Sequence, residues 1–437
     1  ERGMSPTRVV HLLNLGGAAQ PEHGPLRSAP TSDPREIEQT LEASFYSLLA
    51  LLQAWSDYGG AVPRLAVVSD QVQSVTGAES LMPARAALLG PCRVAPQESE
   101  GFESISLDVD ADARDVSSLS AAIVRECAEV QLGHHTVAYR NGRRWVLEFS
   151  AQPLPEQNTE RWEESVDGDG AYIITGGLGG LGLAFAERLV QAGAKHLILA
   201  SRSASEDGLR DAHTNTARRI ATWRSAGVTV AVRSVDVTEA QALAALVDEH
   251  ETTLRGVIHA AGVAPIGLIQ VKTREAAASV LAPKVLGTYA LEAALAECDL
   301  DFVVLCSSLH ALFGGIGTVD HAAANAVLDA WAYASTHRTV AINWGGWAEV
   351  GQAAHAVVSP RVRALLEEPA GNGQANGMHP LLSEVKLESA EELILTGTLD
   401  PSTQWPLDEH RVAGSGMLPG TAMVGLMHAA ATPWAER

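Results

Sequence analysis

Two short runs rich in β-branched residues, at 8–15 (RVVHLLNL) and 64–69 (RLAVVS), flank a stretch, 36–55, whose apolar residues recur at helical spacing. This pattern predicts a β-α-β unit. It continues with a helix over 83–89, a strand over 102–109, a helix over 117–130 and two strands within 136–149, whose centre Arg140-Asn141-Gly142-Arg143 reads as a hairpin turn. No glycine-rich phosphate loop follows the first strand, so this unit is expected to hold no nucleotide. Residues 151–170 then turn polar, with Pro153, Pro155 and Asp167-Gly168-Asp169-Gly170, and read as a linker.

A second series begins at Ala171. Strands are predicted over 171–175, 196–201, 228–235, 254–259, 302–307 and 339–344, separated by helical stretches, which is the rhythm of a parallel, doubly wound sheet. Residues 361–378 form another break, followed by broken strand-like runs, among them 392–399. About sixty residues of broken strand do not easily make an independent sheet, so this last piece is expected to be incomplete. The segments are therefore 1–150, linker 151–170, 171–360, linker 361–378, and 379–437.

Composition narrows the class. The 437 residues are 46% hydrophobic and 19% charged, enough to bury sizeable cores and unlike a disordered chain or a coiled coil. A formal net charge of -21 opposes binding to nucleic acid or an anionic membrane. Cys92, Cys127, Cys298 and Cys306 match neither a zinc ribbon nor a CxxC pair, and no metal site is expected. With no membrane-length apolar run and no signal peptide, a cytoplasmic location is expected. The opening Glu1-Arg2-Gly3-Met4 suggests a piece of a longer chain.

The chemistry starts directly after the strand AYIIT. Thr175-Gly176-Gly177-Leu178-Gly179-Gly180-Leu181-Gly182 opens a helical run, with Gly176, Gly179 and Gly182 placed for a tight turn, close approach to a pyrophosphate and close helix packing. The next strand ends at Ser201-Arg202, where an NAD enzyme would carry a carboxylate; a guanidinium there favours the 2′-phosphate of NADPH. Asp236-Val237 ends the third strand, where an acid can meet the adenine amino group. Ala260-Ala261-Gly262 ends the fourth, with small residues that admit the nicotinamide ribose.

At this point the chain resembles the ketoreductase domain of modular polyketide synthases, relatives of the short-chain dehydrogenases. TGGLGGLG, LILASR, HAAG, LAPKVLGT, FVVLCSS, AAANAVLDA and INWGGWAEVG fall in family order, and LLGPCRVAPQE at 88–98 fits that family's truncated, nucleotide-free structural subdomain. The resemblance implies an α/β fold of two Rossmann-like units, the first a truncated support and the second binding NADPH. It also implies hydride transfer to the β-ketone of an acyl chain held by phosphopantetheine on an acyl carrier protein, beside other domains of the same synthase. Ser308, Lys284 and Asn325 match the family's serine, lysine and asparagine; Ser308 near His310 is that strand-end serine. The family's tyrosine column is His321, since the chain writes HAAAN where the family writes YAAAN.

A phenol hydrogen-bonds the carbonyl and donates the proton as the hydride arrives. An imidazolium, with a reference pKa of about 6.5, is a competent donor in principle, but Lys284 and an oxidised nicotinamide both oppose its charge. Its ring also reaches roughly 2 Å less far, and 1 Å can cost about 100-fold in rate. Two outcomes stand: a working, slower reductase, or a module that binds NADPH and acts structurally or as an epimerase. The stereochemical signatures are missing, with Ala264-Pro265-Ile266 and Phe313 at the diagnostic positions, while Trp347 and residues 349–354 match the family's lid.

Farther on, His379-Pro380-Leu381-Leu382 and the spacing of His410, Gly414 and Pro419 resemble the opening of a polyketide synthase dehydratase, in which His410 would be the base that removes the α-proton. A short, partial hotdog-like segment is implied. The second half with its acid is expected to be missing, which leaves a vestige, a truncated domain or half of a split one.

Overall fold

The computed structural model describes residues 6–16, 33–58, 64–99, 101–110, 116–128, 136–150, 166–202, 204, 215–263, 266–346, 384–388, 393–396, 411–412 and 415–416. The chain divides into two compact units, one within 1–148 and 155–354, the other within 149–154 and 355–437.

The larger unit holds two sheets. In the first, β1 (Arg8–Asn14), β2 (Arg64–Asp70), β3 (Glu103–Val109), β4 (Thr136–Arg140) and β5 (Arg143–Val146) lie side by side in chain order. The first four are parallel and β5 is antiparallel. The final hairpin turns on Asn141 (φ 51) and Gly142 (φ 73), the two left-handed positions that an Asn-Gly pair supplies readily.

The helical stretch expected over 36–55 runs from Pro34 to Tyr58, with Asp33 capping its start by accepting the Arg35 N–H at 2.9 Å and one widened π turn at Glu42–Tyr46. The helix expected to end at 89 continues: a 3-10 stretch Pro83–Leu88 leads into an α-helix Leu89–Glu98. Gly90-Pro91 does not break it. Pro91 stands in the first turn, where its missing N–H costs nothing. A Cβ at Gly90 would lie 2.6 Å from Ala323 of the helix Val319–Ala334, so the glycine permits two helices to touch.

The second sheet is wholly parallel, in the order β11 (Thr339–Trp344), β10 (Phe302–Ser308), β9 (Leu254–His259), β6 (Ala171–Thr175), β7 (His196–Ser201), β8 (Thr229–Ser234). Chain order reverses between β6 and β9, the switch point at which doubly wound sheets take ligands. Buried Ala322, Ala323, Ala324 and Ala326 let the helix Val319–Ala334 pack closely, and Trp331 meets the Tyr289 ring edge-on at 4.3 Å.

Polar ties join the two halves. Glu98 accepts the N–H of Ile269 at 2.7 Å through Oε2 and that of Gly317 at 2.8 Å through Oε1. Gln53 Nε2 donates to the carbonyls of Ile269 and Lys272, both at 2.8 Å. All four cysteines are free; Cys92, Cys298 and Cys306 are buried and Cys127 is half-buried. Among the described residues no helix is long and apolar enough to cross a membrane.

In the smaller unit Glu384–Glu388 pairs antiparallel with Leu393–Thr396, and Arg411–Val412 with Ser415–Gly416. His379–Leu382, His410, Gly414 and Pro419 lie outside the described residues, as do Ala264, Pro265, Trp347 and 349–354.

Candidate active site

Strand β6 delivers Thr175 to the switch point, and Gly176 turns the chain at φ +66, where a Cβ would sit 2.7 Å from the Ala260 carbonyl. A Cβ at Gly182 would meet Gly177 Cα at 2.8 Å, so helix and loop pack backbone to backbone. Gly177 N–H donates to Ala200 O at 3.1 Å and Gly179 N–H to Gly176 O at 2.9 Å, which fixes the loop. The helix Gly180–Gln191 then starts at Gly179 with no side-chain cap. The N–H groups of Gly180, Leu181 and Gly182 in its first turn, beside Leu178, are thus left to an anion, and this cradle fits a dinucleotide pyrophosphate.

At the end of β7, Ser201 is half-buried and Arg202 exposed. Asp236 Oδ1 accepts from Thr238 N–H at 3.0 Å and from its hydroxyl at 2.8 Å; these bonds, with the Arg202 charge, hold the carboxyl below the usual range. That carboxylate therefore shapes its own turn and faces the Arg202 charge. Val237 is buried against Gly287.

His259, at the end of β9, is wholly buried and its tautomer follows from its partners. Nε2 lies 3.0 Å from the Pro283 carbonyl and must donate, so Nδ1 accepts the Thr175 hydroxyl at 2.7 Å. Burial first, and then the Lys284 charge, push its pKa down to about 4. Beyond it, Ala260, Ala261 and Gly262 are half-buried, and a Cβ at Gly262 would lie 2.9 Å from Lys284 Cε.

The four matched catalytic positions converge here. Lys284 ends the helix Arg274–Lys284, buried, and donates from Nζ to the Cys306 carbonyl of β10 at 2.7 Å. Burial lowers its pKa to about 8. Ser308 closes β10. His321 and Asn325 stand one turn apart on the helix Val319–Ala334, where Asn325 Nδ2 donates to the His321 carbonyl at 2.7 Å. Burial, then Lys284, then His310 push the His321 pKa down to about 3. Its Nδ1 and Asn325 Oδ1 are buried without a hydrogen-bond partner. Beneath them, Asp320 takes the His321 N–H at 2.9 Å and pairs with buried Lys272 at 2.9 Å.

Sequence reasoning assigned no role to His310. Its Nδ1 lies 3.4 Å from Ser308 Oγ, and its ring meets that of His321 edge to face at 5.5 Å. The run SSLH, with a histidine two residues beyond the serine, was the available signal.

A doubly wound sheet with a glycine cradle at its switch point, and a lysine, serine and asparagine gathered at one edge, defines a dinucleotide-dependent oxidoreductase site. Comparison makes this specific. Residues 170–349 match the model of the KR domain, and residues 379–437 that of the polyketide synthase dehydratase domain. The chain is a polyketide synthase ketoreductase domain followed by part of a dehydratase.

It is 33% identical over 375 residues to a phenolphthiocerol/phthiocerol polyketide synthase of Mycobacterium tuberculosis, an alignment covering 80% of this chain and 20% of that protein. It is 38% identical over 202 residues to 6-methylsalicylic acid synthase of Aspergillus terreus, covering 43% of this chain and 11% of that one. The chain thus spans a fifth or less of these relatives. Among solved structures, an A1-type ketoreductase aligns with a TM-score of 0.63 at 29% identity, covering 82% of this chain and 70% of that one. The first ketoreductase of the tylosin synthase gives 0.56 at 30%, covering 69% and 63%.

Proposed function

We propose that residues 171–360 bind NADPH and reduce the β-ketone of an acyl chain carried as a phosphopantetheine thioester on an acyl carrier protein, giving the β-hydroxyacyl thioester. Residues 1–150 serve as the cofactor-free support and 379–437 as a partial dehydratase segment that carries His410 as its base. The observation that supports this most is the meeting of Lys284, Ser308 and His321 beside the glycine cradle.

The cradle at 175–182 would hold the pyrophosphate, and Arg202 with Ser201 the 2′-phosphate. Bound NADPH supplies the hydride. Ser308 and His321 hydrogen-bond the ketone oxygen, while the Lys284 ammonium, its pKa lowered to about 8, stabilises the negative charge that develops there and gives up, through the hydroxyl or the ring, the proton that turns the alkoxide into the product hydroxyl. With its pKa near 3, His321 is a neutral imidazole at pH 7, so it acts as an uncharged N–H donor and not as an imidazolium. Turnover is therefore slower than a phenol at the same position would allow.

NADPH oxidation with trans-decalone or a β-ketoacyl thioester tests this. Wild type turns over measurably, and His321→Tyr raises kcat by at least about 100-fold, since the ring falls short by roughly 2 Å and even 1 Å of misplacement can cost that much. Absence of turnover in both variants rejects the reading. The same lowered pKa favours a second reading, a module that binds NADPH without consuming it; cofactor fluorescence with no wild-type turnover, restored in His321→Tyr, would identify that case.

A further inference from the structure

Ser308 does not stand free at the end of β10. Its hydroxyl oxygen accepts the backbone N–H of His310 at 3.2 Å, and His310 Nδ1 lies at 3.4 Å from the same oxygen. The imidazole is boxed in. A Cβ at Gly315 would sit 2.6 Å from His310 Cδ2 and 2.9 Å from Nε2, and the His321 ring meets it at 75°. Only a glycine at 315 leaves room for the ring, so its position over Ser308 is set by packing on two sides.

The two neutral tautomers of His310 have opposite consequences. With the proton on Nδ1, the ring donates to Ser308 Oγ. That oxygen then accepts two hydrogen bonds and its own hydrogen is free to point at a ketone. With the proton on Nε2, Nδ1 accepts, and the serine hydrogen turns toward His310 and away from the pocket. Burial lowers the His310 pKa, so the ring is neutral at pH 7 and the choice of tautomer matters.

We propose that His310 is a positioning residue acting through Ser308: in its Nδ1–H form it aims the serine hydroxyl at the substrate oxygen and strengthens it as a donor, at a site where His321 replaces a phenol. This rests on the ketoreductase reading of the same site. It assigns the better part of hydrogen-bond donation to the Ser308–His310 pair and leaves His321 the lesser part.

The test uses the full chain in two arms. In the first, 15N-histidine spectra, with the His310 signal assigned by its loss in His310→Asn, report the tautomer without any need for turnover. The expected result is Nδ1 protonation that shifts in Ser308→Ala; an Nε2–H form indifferent to Ser308→Ala overturns the proposal. The second arm measures NADPH affinity, kcat and KM with a ketone surrogate, in the His321→Tyr background if wild type is silent. His310→Ala is expected to lower kcat by about tenfold with the NADPH Kd unchanged, and His310→Asn, whose amide N–H falls close to the Nδ1 position, to recover most of it. Equal loss in both variants, or no loss, overturns it. No turnover in either background rejects the ketoreductase reading itself and leaves the spectra to decide whether the pair exists.

Discussion

The two sheets of the larger unit end differently at their carboxyl edges. In the first sheet, Asp108 at the end of β3 is fully engaged: Oδ1 accepts from Ser69 Oγ at 2.9 Å and Val72 N–H at 3.2 Å, and Oδ2 accepts from Gln73 N–H at 3.0 Å and from Arg140. Asp70 pairs with Arg85, and Arg140 also meets Glu79 at 3.3 Å. In the second sheet the corresponding edge carries Lys284 on one carbonyl and two buried atoms, on His321 and Asn325, that satisfy nothing. One edge closes on itself with paired charge; the other leaves two buried polar atoms, His321 Nδ1 and Asn325 Oδ1, without a partner. Strand order agrees, since only the second sheet reverses direction and opens a crevice.

If that contrast is right, removing charge should act with opposite sign on the two edges. Asp108→Ala leaves Arg140 short of a buried partner and strands two backbone N–H groups, so urea unfolding should show a loss of about 3–5 kcal/mol; a loss below about 1 kcal/mol would mean that the closed edge contributes little. Acid comes next. His259 titrates near 4 in the fold and at 6.5 when unfolded, so between these values the unfolded chain binds a proton that the native chain refuses. Stability should therefore fall as pH drops from about 6.5 to about 4, by roughly 3 kcal/mol from this group. The difference between wild type and His259→Asn across that window isolates it.

Lys284→Met should do the reverse of Asp108→Ala. Because burial lowers its pKa from 10.5 to about 8, the ammonium is a burden on the fold at pH 7. Replacing it should stabilise by about 2 kcal/mol while removing turnover. The gain should shrink as pH rises from about 8 to about 10.5, where the native lysine is already neutral and the unfolded one is not. The smallest effect belongs to Arg202→Ser, expected to weaken NADPH about tenfold and leave NADH unchanged; an equal change for both cofactors would remove Arg202 from the 2′-phosphate site.

The elements legible in the sequence were those whose signals are local. Each strand of both sheets was placed within two or three residues, because alternation and β-branching mark buried parallel strands directly. The Asn141-Gly142 turn was equally plain. What stayed hidden depended on contact. The expected helix stops at 89, whereas the observed one runs on to Glu98, and only the pressure of Ala323 on it explains Gly90. Asp236 reads as a ligand for adenine, and the structure adds a second task that the sequence does not show: its Oδ1 holds the following turn through Thr238. The downward push on His321 comes from burial and from two neighbours 37 and 11 residues away in sequence, and no spacing rule shows that sum.

Glu98 has a practical bearing on how this molecule could be rebuilt. A single carboxylate from one half grips the backbone on two separate loops of the other, at Ile269 and Gly317, and the second of these joins the helix that begins at His310 to the one that carries His321. Anyone transplanting residues 171–360 into a foreign scaffold, or trimming the chain to a minimal catalyst, would cut that clasp and let both loops drift, so the amino-terminal half must travel with its companion as one graft.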